Sequence, residues 1–218
     1  MSEVARAPGD APDPALAAAL AHPDVRRLRA ALAARPGQEA DLTLDPRPPR
    51  FAAVALVLRV SAEEGGPLEL LFVKRAEYEG DPWSGHVAFP GGRREEGDAT
   101  LWDTAARETW EETGLDLRRD GVVLGTLDEL HPRTPVLPPI VVRPYVVAAA
   151  PRGPMVLSPE LSAAFWMPLR RFAEPDTRAT STVRARGVEL TVPSFVHEGH
   201  TIWGMTHRIV EQFLDLAV

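Results

Sequence analysis

The sequence predicts an α+β fold in which helices pack on the faces of a mixed β-sheet. Three observations lead there. Strand-like and helix-like segments follow one another without the regular alternation of a parallel α/β protein. The apolar runs are short: the longest, Phe51 to Leu58, is cut by Arg59 and suits a buried strand. The chain has 218 residues, 44% hydrophobic and 25% charged. That balance belongs to a globular protein with a sizeable core.

The elements follow in order. Pro14 to Arg35 carries Leu16, Leu20, Val25, Leu28 and Leu32 as its apolar positions, which predicts one or two short helices, broken or restarted at Pro23. DLTLDPRPPR, with three prolines in ten residues, reads as a linker. Residues 1–45 are therefore expected to form a helical appendage and linker, and 46–218 the main domain. FAAVALVLRV reads as a buried strand, and LELLFVKR, after the turn EEGGP, as its hairpin partner. The polar loop AEYEGDPWSG leads to a short strand, HVAF, and PGG turns the chain. A helix is expected from about Thr100 to Thr113, stopped by Gly114. GVVLGTLDEL, IVVRPYVVAAA, FWMPL, TSTVRA and VELTVPSFV read as strands, the last two joined at Arg186-Gly187. A final helix runs from about Trp203 to Leu216, with Met205, Ile209, Val210 and Phe213 on one side. No internal repeat is visible.

Composition excludes several functions. With no cysteine, there is no disulfide framework, thiolate metal site, iron–sulfur cluster or cysteine nucleophile. Lys+Arg 24 against Asp+Glu 31 gives a net charge of −7, which argues against nucleic acid as a partner. Lys74 is the single lysine, and no GxxxxGK[ST] motif is present. No apolar run reaches the ~18 residues of a membrane helix, so no membrane association is expected. The N-terminal text has early acids and no apolar core, unlike a secretory or transit segment, so the expected compartment is the cytoplasm. A monomer or a homodimer is expected.

The informative stretch is FPGGRREEGDATLWDTAARETWEETGLDL, Phe89 to Leu117. On a helical wheel Trp102, Ala106, Thr109, Trp110 and Thr113 share the side expected to face the core. Glu108, Glu111 and Glu112 gather on the other, at spacings of three and four. Asp98 sits just before the first turn. At about 6 Å and an effective dielectric near 20, each carboxylate pair costs roughly 3 kcal/mol. Two arrangements relieve that: full solvation as a plain surface face, or a divalent cation bound by hard carboxylate oxygens. The context favours the cation. Gly91 and Gly92 allow close backbone approach, and Arg107 stands beside Glu108 and one turn before Glu111, where a guanidinium can hold a carboxylate in place.

Pro90-Gly91-Gly92 with Arg107-Glu108-x-x-Glu111-Glu112-x-Gly114-Leu115 resembles the signature of the Nudix hydrolases, and the likeness extends over about residues 50–217. Thr109 stands where that signature has a bulky apolar residue. Asp98 replaces its first glutamate, with eight residues before Arg107 instead of seven. This longer spacing is similar to the coenzyme A diphosphatase branch, which Glu95, Leu101, Thr104, Ala105, LLFVKR, VAFPGG and IWGMT also match. Trp83 and His86, however, stand where that branch has a histidine and a Glu or Gln.

The resemblance implies the Nudix fold, a mixed sheet between helices, and attack of water on a nucleoside diphosphate linked to another group. It implies that Glu108, Glu111 and Glu112, with the Gly91 carbonyl, hold Mg²⁺ or Mn²⁺, and that Glu111, Glu112 and Arg107 serve catalysis. Glu160, in LSPELSAAFWMP, is the expected distal acid. Coenzyme A or an acyl derivative is the leading substrate. ADP-ribose, an oxidised nucleotide, or a catalytically silent binding module are the alternatives.

Outside the signature, Arg75 and Arg93 flank the site and are candidates for phosphate. His86 is a candidate for substrate contact or a structural hydrogen bond. Trp83 offers a stacking ring or a cap on the core; Trp166 and Trp203 are expected in the core. His197-Glu198-Gly199-His200 lacks the H-E-x-x-H spacing of a zinc protease. No G-x-S-x-G is present.

Overall fold

The computed structural model describes residues 13–43, 47–61, 66–78, 84–132, 139–185 and 188–217. Trp83, the Arg186-Gly187 turn and part of the EEGGP turn lie outside them. Among the described residues, no helix is long and apolar enough to cross a membrane.

The chain runs α1 (Pro14–Ala21), α2 (Pro23–Ala34), β1 (Arg50–Val60), β2 (Leu68–Arg75), β3 (Val87–Ala88), β4 (Gly91–Arg93), α3 (Leu101–Thr113), α4 (Leu117–Asp120), β5 (Gly121–Thr126), β6 (Ile140–Ala149) and β7 (Leu161–Pro168). A 3-10 helix (Leu169–Ala173), β8 (Arg178–Ala185), β9 (Val188–His197), β10 (His200–Trp203) and α5 (Gly204–Ala217) complete it. The main sheet has the order β3-β2-β1-β6-β5, with β4 added on β1 and β7 on β2.

β1 organises the site. One flank pairs in parallel with β6, from Arg50↔Ile140 to Leu58↔Ala148. The other flank is shared: β4 is antiparallel to its start (Ala52↔Arg93, Val54↔Gly91) and β2 to its end (Leu58↔Leu70). The Ala55 N–H donates to the Pro90 carbonyl at 2.9 Å, where the two partners part. Pro90-Gly91-Gly92 is therefore not a free turn, as the sequence suggested. Its glycines lie inside the sheet because they alone fit there: a Cβ on Gly91, whose φ is +149°, would stand 2.3 Å from the Ala53 carbonyl oxygen.

Burial on both faces of β1 explains its near-continuous apolar text. Ala53, Ala55 and Val57 face α3 through Leu101, Trp102, Ala105 and Ala106. Leu56 and Leu58 face the opposite layer, where Val25, Leu28 and Leu32 of α2 join Ile209, Val210, Phe213 and Leu214 of α5 in one cluster. Each such fully buried aliphatic side chain contributes about 1.5–3 kcal/mol. Pro23 is the first residue of α2, and His22 caps it through Nδ1, which accepts from the Asp24 N–H.

A second sheet, β10-β9-β8, was only partly foreseen. Trp203, expected to open the last helix, ends β10 instead. The two-residue turn Glu198-Gly199 has positive φ at both positions, 47° and 78°, the geometry of a tight hairpin. His197 and His200 lie opposite each other across it, and the His200 ring stacks on Phe165 at 4.2 Å. Trp166 and Trp203 are half-buried rather than fully enclosed.

Candidate active site

Helix α3 is built from its ends. Thr100 and Asp103 form a reciprocal capping box at the start, and Gly114 ends the helix at φ 74°. Ala105 and Ala106 let the helix lie close to the alanines of β1. Thr109 and Thr113 are fully buried, and each hydroxyl donates to the carbonyl one turn back, Ala105 at 2.7 Å and Thr109 at 2.6 Å. That explains how a threonine is accommodated where a bulky apolar residue was expected.

The burial pattern differs from the wheel in two places. Trp110 is 54% exposed, and Glu112 is only 7% exposed. Glu112 lies against the sheet because the Gly91 N–H donates to its Oε2 at 3.0 Å. Burial pushes the Glu112 carboxyl up to about 8, with the charges of Glu108 and Glu160 adding to it; the Gly91 N–H and the Arg75 charge oppose the shift. Glu108 is also raised, first by burial, against the pull of Arg107. A Cβ on Gly92 would sit 2.4 Å from the Glu108 carboxyl carbon, so only glycine leaves room for that side chain.

Arg107 ties the cluster together. Nε donates to Asp98 Oδ1 at 3.0 Å and Nη2 to Asp98 Oδ2 at 2.9 Å, while Nη2 also reaches the Arg93 carbonyl at 3.1 Å. Nη1 lies 2.9 Å from Glu111 Oε2 and 3.1 Å from Glu108 Oε1. These hydrogen bonds hold Asp98 well below the usual carboxylate range, against its burial. Thr104 Oγ1 and the Glu95 N–H also donate to Asp98 Oδ2, each at 3.0 Å. The sequence reading expected Arg107 to orient Glu108 or Glu111 and did not make Asp98 its principal partner. The spacing of Asp98 before Arg107 was the available signal.

The remaining candidates are placed as follows. Glu160 is exposed on a segment that docks against the end of α3: the Val156 N–H donates to the Thr113 carbonyl and the Ser158 N–H to that of Glu112, both at 2.9 Å. The Glu160 carbonyl accepts from the Ala76 N–H at 2.7 Å, and its charge is felt at Glu112. Arg75, at the end of β2, also acts on Glu112 by charge. The structure thus gathers Gly91, Arg107, Glu108, Glu111 and Glu112, with Arg75 and Glu160 close enough to act electrostatically. The His86 ring lies edge-on to Trp203 at 4.5 Å, and Arg93 is exposed at the other end of β4.

The donor chemistry suits a hard divalent cation. Glu108 and Glu112 are carboxylates drawn partly out of water together, and burial raises both, Glu108 against the pull of Arg107. Among the described residues, no three His, Asp or Glu side chains stand gathered as a finished cage. Glu108 and Glu111 are instead turned onto Arg107.

A family model described as the NUDIX domain matches residues 49–185, more than half of the chain. The chain belongs to the Nudix family. Among similar Nudix proteins is the mitochondrial coenzyme A diphosphatase NUDT8 of Homo sapiens, 32% identical over 173 residues that cover 77% of this chain and 70% of that protein. The peroxisomal coenzyme A diphosphatase ndx-8 of Caenorhabditis elegans is 36% identical over 98 residues, covering 44% of this chain and 40% of its own length. A MutT/nudix family protein from Enterococcus faecalis shares the Nudix fold at 18% identity and a TM-score of 0.53, over 78% of this chain and 62% of that one. This Nudix chain is a pyrophosphohydrolase of a family in which divalent metals are generally used.

Proposed function

We propose that this enzyme hydrolyses the diphosphate bond of coenzyme A or an acyl derivative, giving adenosine 3′,5′-bisphosphate and a phosphopantetheine. The observation that carries this reading is the match to a coenzyme A diphosphatase along 77% of the chain, which includes the whole acidic helix. Glu108, Glu111 and Glu112 would hold Mg²⁺ or Mn²⁺, with the Gly91 carbonyl as a further donor. A bound cation there offsets charge on the phosphoryl oxygens and lowers the pKa of a bound water.

The chain's own residues do the rest. Arg107, anchored on Asp98, fixes Glu108 and Glu111 relative to β4. Burial keeps Glu112 in a place where its charge is strongly felt. Glu160 takes the proton of the attacking water. The water oxygen bonds to phosphorus, the anhydride P–O bond breaks, and the leaving phosphate keeps the electron pair. Arg75 offers its charge to a phosphate. The substrate is a small nucleotide diphosphate, and the compartment we propose is the cytoplasm.

The test is a panel of coenzyme A, ADP-ribose and an oxidised nucleoside triphosphate, with Mg²⁺ and Mn²⁺, followed by product mass. The reading expects coenzyme A to give the highest kcat/KM. Equal or higher turnover of ADP-ribose or of the oxidised nucleotide contradicts the substrate, and no turnover of any of them contradicts the hydrolase.

A further inference from the structure

We propose that Tyr78 is a positioning residue for the hydrolysis: its phenolic hydroxyl fixes the backbone that carries Glu160, and so sets where that carboxylate stands relative to Glu112. The role presupposes Glu160 as the proton acceptor, the reading proposed above, and adds what holds the acid in place.

Glu160 lies in a turn just ahead of β7. On one side the segment before it is tied to α3, through the Val156 and Ser158 N–H groups and the carbonyls of Thr113 and Glu112. On the other it meets the end of β2. The Leu161 N–H closes the turn on the Ser158 carbonyl at 3.1 Å, and the Glu160 carbonyl accepts from the Ala76 N–H. β7 carries one extra residue here: Lys74 pairs with Ala163 and Arg75 with Leu161, which leaves Ser162 bulged out. The Ser162 hydroxyl reaches the Lys74 and Arg75 carbonyls, both at 3.3 Å. A bulge bends its strand and re-aims the neighbouring side chains, a device common beside active sites.

Pro159 is the corner of this segment. It has no N–H, so its carbonyl is its only backbone group for a hydrogen bond. The Tyr78 hydroxyl donates to that carbonyl at 2.9 Å, across 81 positions of sequence. The Ser158 hydroxyl is enclosed yet has no partner among the described residues, so it does not share the task. Tyr78 is itself anchored, since its N–H donates to Ser84 Oγ at 2.9 Å. Its ring is 53% exposed, so packing explains little of its presence. What a tyrosine adds over a phenylalanine here is the single bond to Pro159.

The consequence is geometric. The Glu160 charge is felt at Glu112, and Ser158, two residues before Glu160, holds the Glu112 carbonyl. The segment therefore sets the spacing between the two acids. Its α3 end is fixed by two backbone bonds, and Tyr78 fixes the corner next to Glu160. Freeing that corner lets the carboxylate drift, and a misplacement of about 1 Å in a reacting group costs up to a hundredfold in rate.

Two measurements on the full chain test the role. Kinetics with Mg²⁺ compares the wild type, Tyr78→Phe, Glu160→Gln and the double variant, on whichever of coenzyme A, ADP-ribose and the oxidised nucleoside triphosphate is turned over fastest. Amide hydrogen exchange of the metal-free wild type and Tyr78→Phe, followed by nuclear magnetic resonance at Ala76, reads the hold on the Glu160 carbonyl without turnover. Tyr78→Phe keeps the ring and removes only the hydroxyl. Its kcat is expected to fall about tenfold, with KM within about twofold and Tm unchanged, and its Ala76 amide to exchange about tenfold faster. In the Glu160→Gln background, losing the hydroxyl should cost kcat nothing further. Wild-type kcat or wild-type Ala76 exchange in Tyr78→Phe overturns the role, as does the same loss in both backgrounds. A change confined to KM also overturns it, by putting the tyrosine on the substrate. Impaired Glu160→Gln beside unimpaired Tyr78→Phe removes Tyr78 alone. Wild-type kcat in Glu160→Gln removes the proton-acceptor reading itself, and the positioning role with it.

Discussion

Arg107 grips Asp98 through two parallel hydrogen bonds, Nε to Oδ1 at 3.0 Å and Nη2 to Oδ2 at 2.9 Å, while its third nitrogen faces Glu108 and Glu111. Asp98 is 5% exposed and cannot recover its lost hydration. Arg107→Ala is therefore expected to lower stability by about 3 kcal/mol in urea denaturation at pH 7. The Asp98 carboxyl is depressed in the folded state, so its contribution is present above its unfolded value near 3.8 and fades as the pH falls below it. The difference between variant and wild type should narrow at low pH.

Glu112 has the opposite sign. Its folded value of about 8 lies above the unfolded 4.5, so the folded state binds the extra proton between them. The associated stability is complete below pH 4.5 and is lost as the pH rises through 8. The loss is on the order of 4 kcal/mol. Glu112→Gln keeps an acceptor for the Gly91 N–H but carries no charge. Thermal unfolding of the metal-free variant should match the wild type at pH 5 and exceed it at pH 8.5, while turnover falls at least a hundredfold.

Gly91 and Gly92 should fail differently. A Cβ on Gly92 meets the movable end of Glu108, whereas one on Gly91 meets the Ala53 backbone. Gly92→Ala is expected to cut kcat by about tenfold or more with a Tm close to that of the wild type. Gly91→Ala should lower Tm by several degrees. Comparing kcat and Tm in the two variants separates a displaced carboxylate from a strained strand.

Glu160→Gln tests the proton acceptor. A general base contributes about 10²–10⁴-fold, so kcat should fall by that much with KM little changed. An unchanged kcat would return Glu160 to the solvated surface.

The sequence revealed some of this and concealed the rest for physical reasons. Helix α3 was legible because Thr100, Gly114 and the glutamate spacing are local signals. Strand β1 was legible because burial on both faces leaves an unbroken apolar run. The burial of Glu112 was not, since a helical wheel cannot register a hydrogen bond from Gly91, which arrives from another element. Trp110 was assigned inward by its apolarity, yet the wide face of α3 against β1 is filled by alanines and buried threonines. Strand β4 was concealed by Pro-Gly-Gly, which locally reads as a turn and becomes a strand only through its pairing with β1. Strand β10 was similarly absorbed into the expected start of α5.

The most direct measurement is a titration of the metal-free chain with Mn²⁺ at pH 8, followed by electron paramagnetic resonance, for the wild type and the Glu108→Gln/Glu112→Gln double variant. The wild type should bind Mn²⁺ at micromolar to millimolar concentration, and the double variant at least tenfold more weakly. A folded wild type that takes up no Mn²⁺, or a double variant that binds it equally well, would contradict the role assigned to the acidic face of α3.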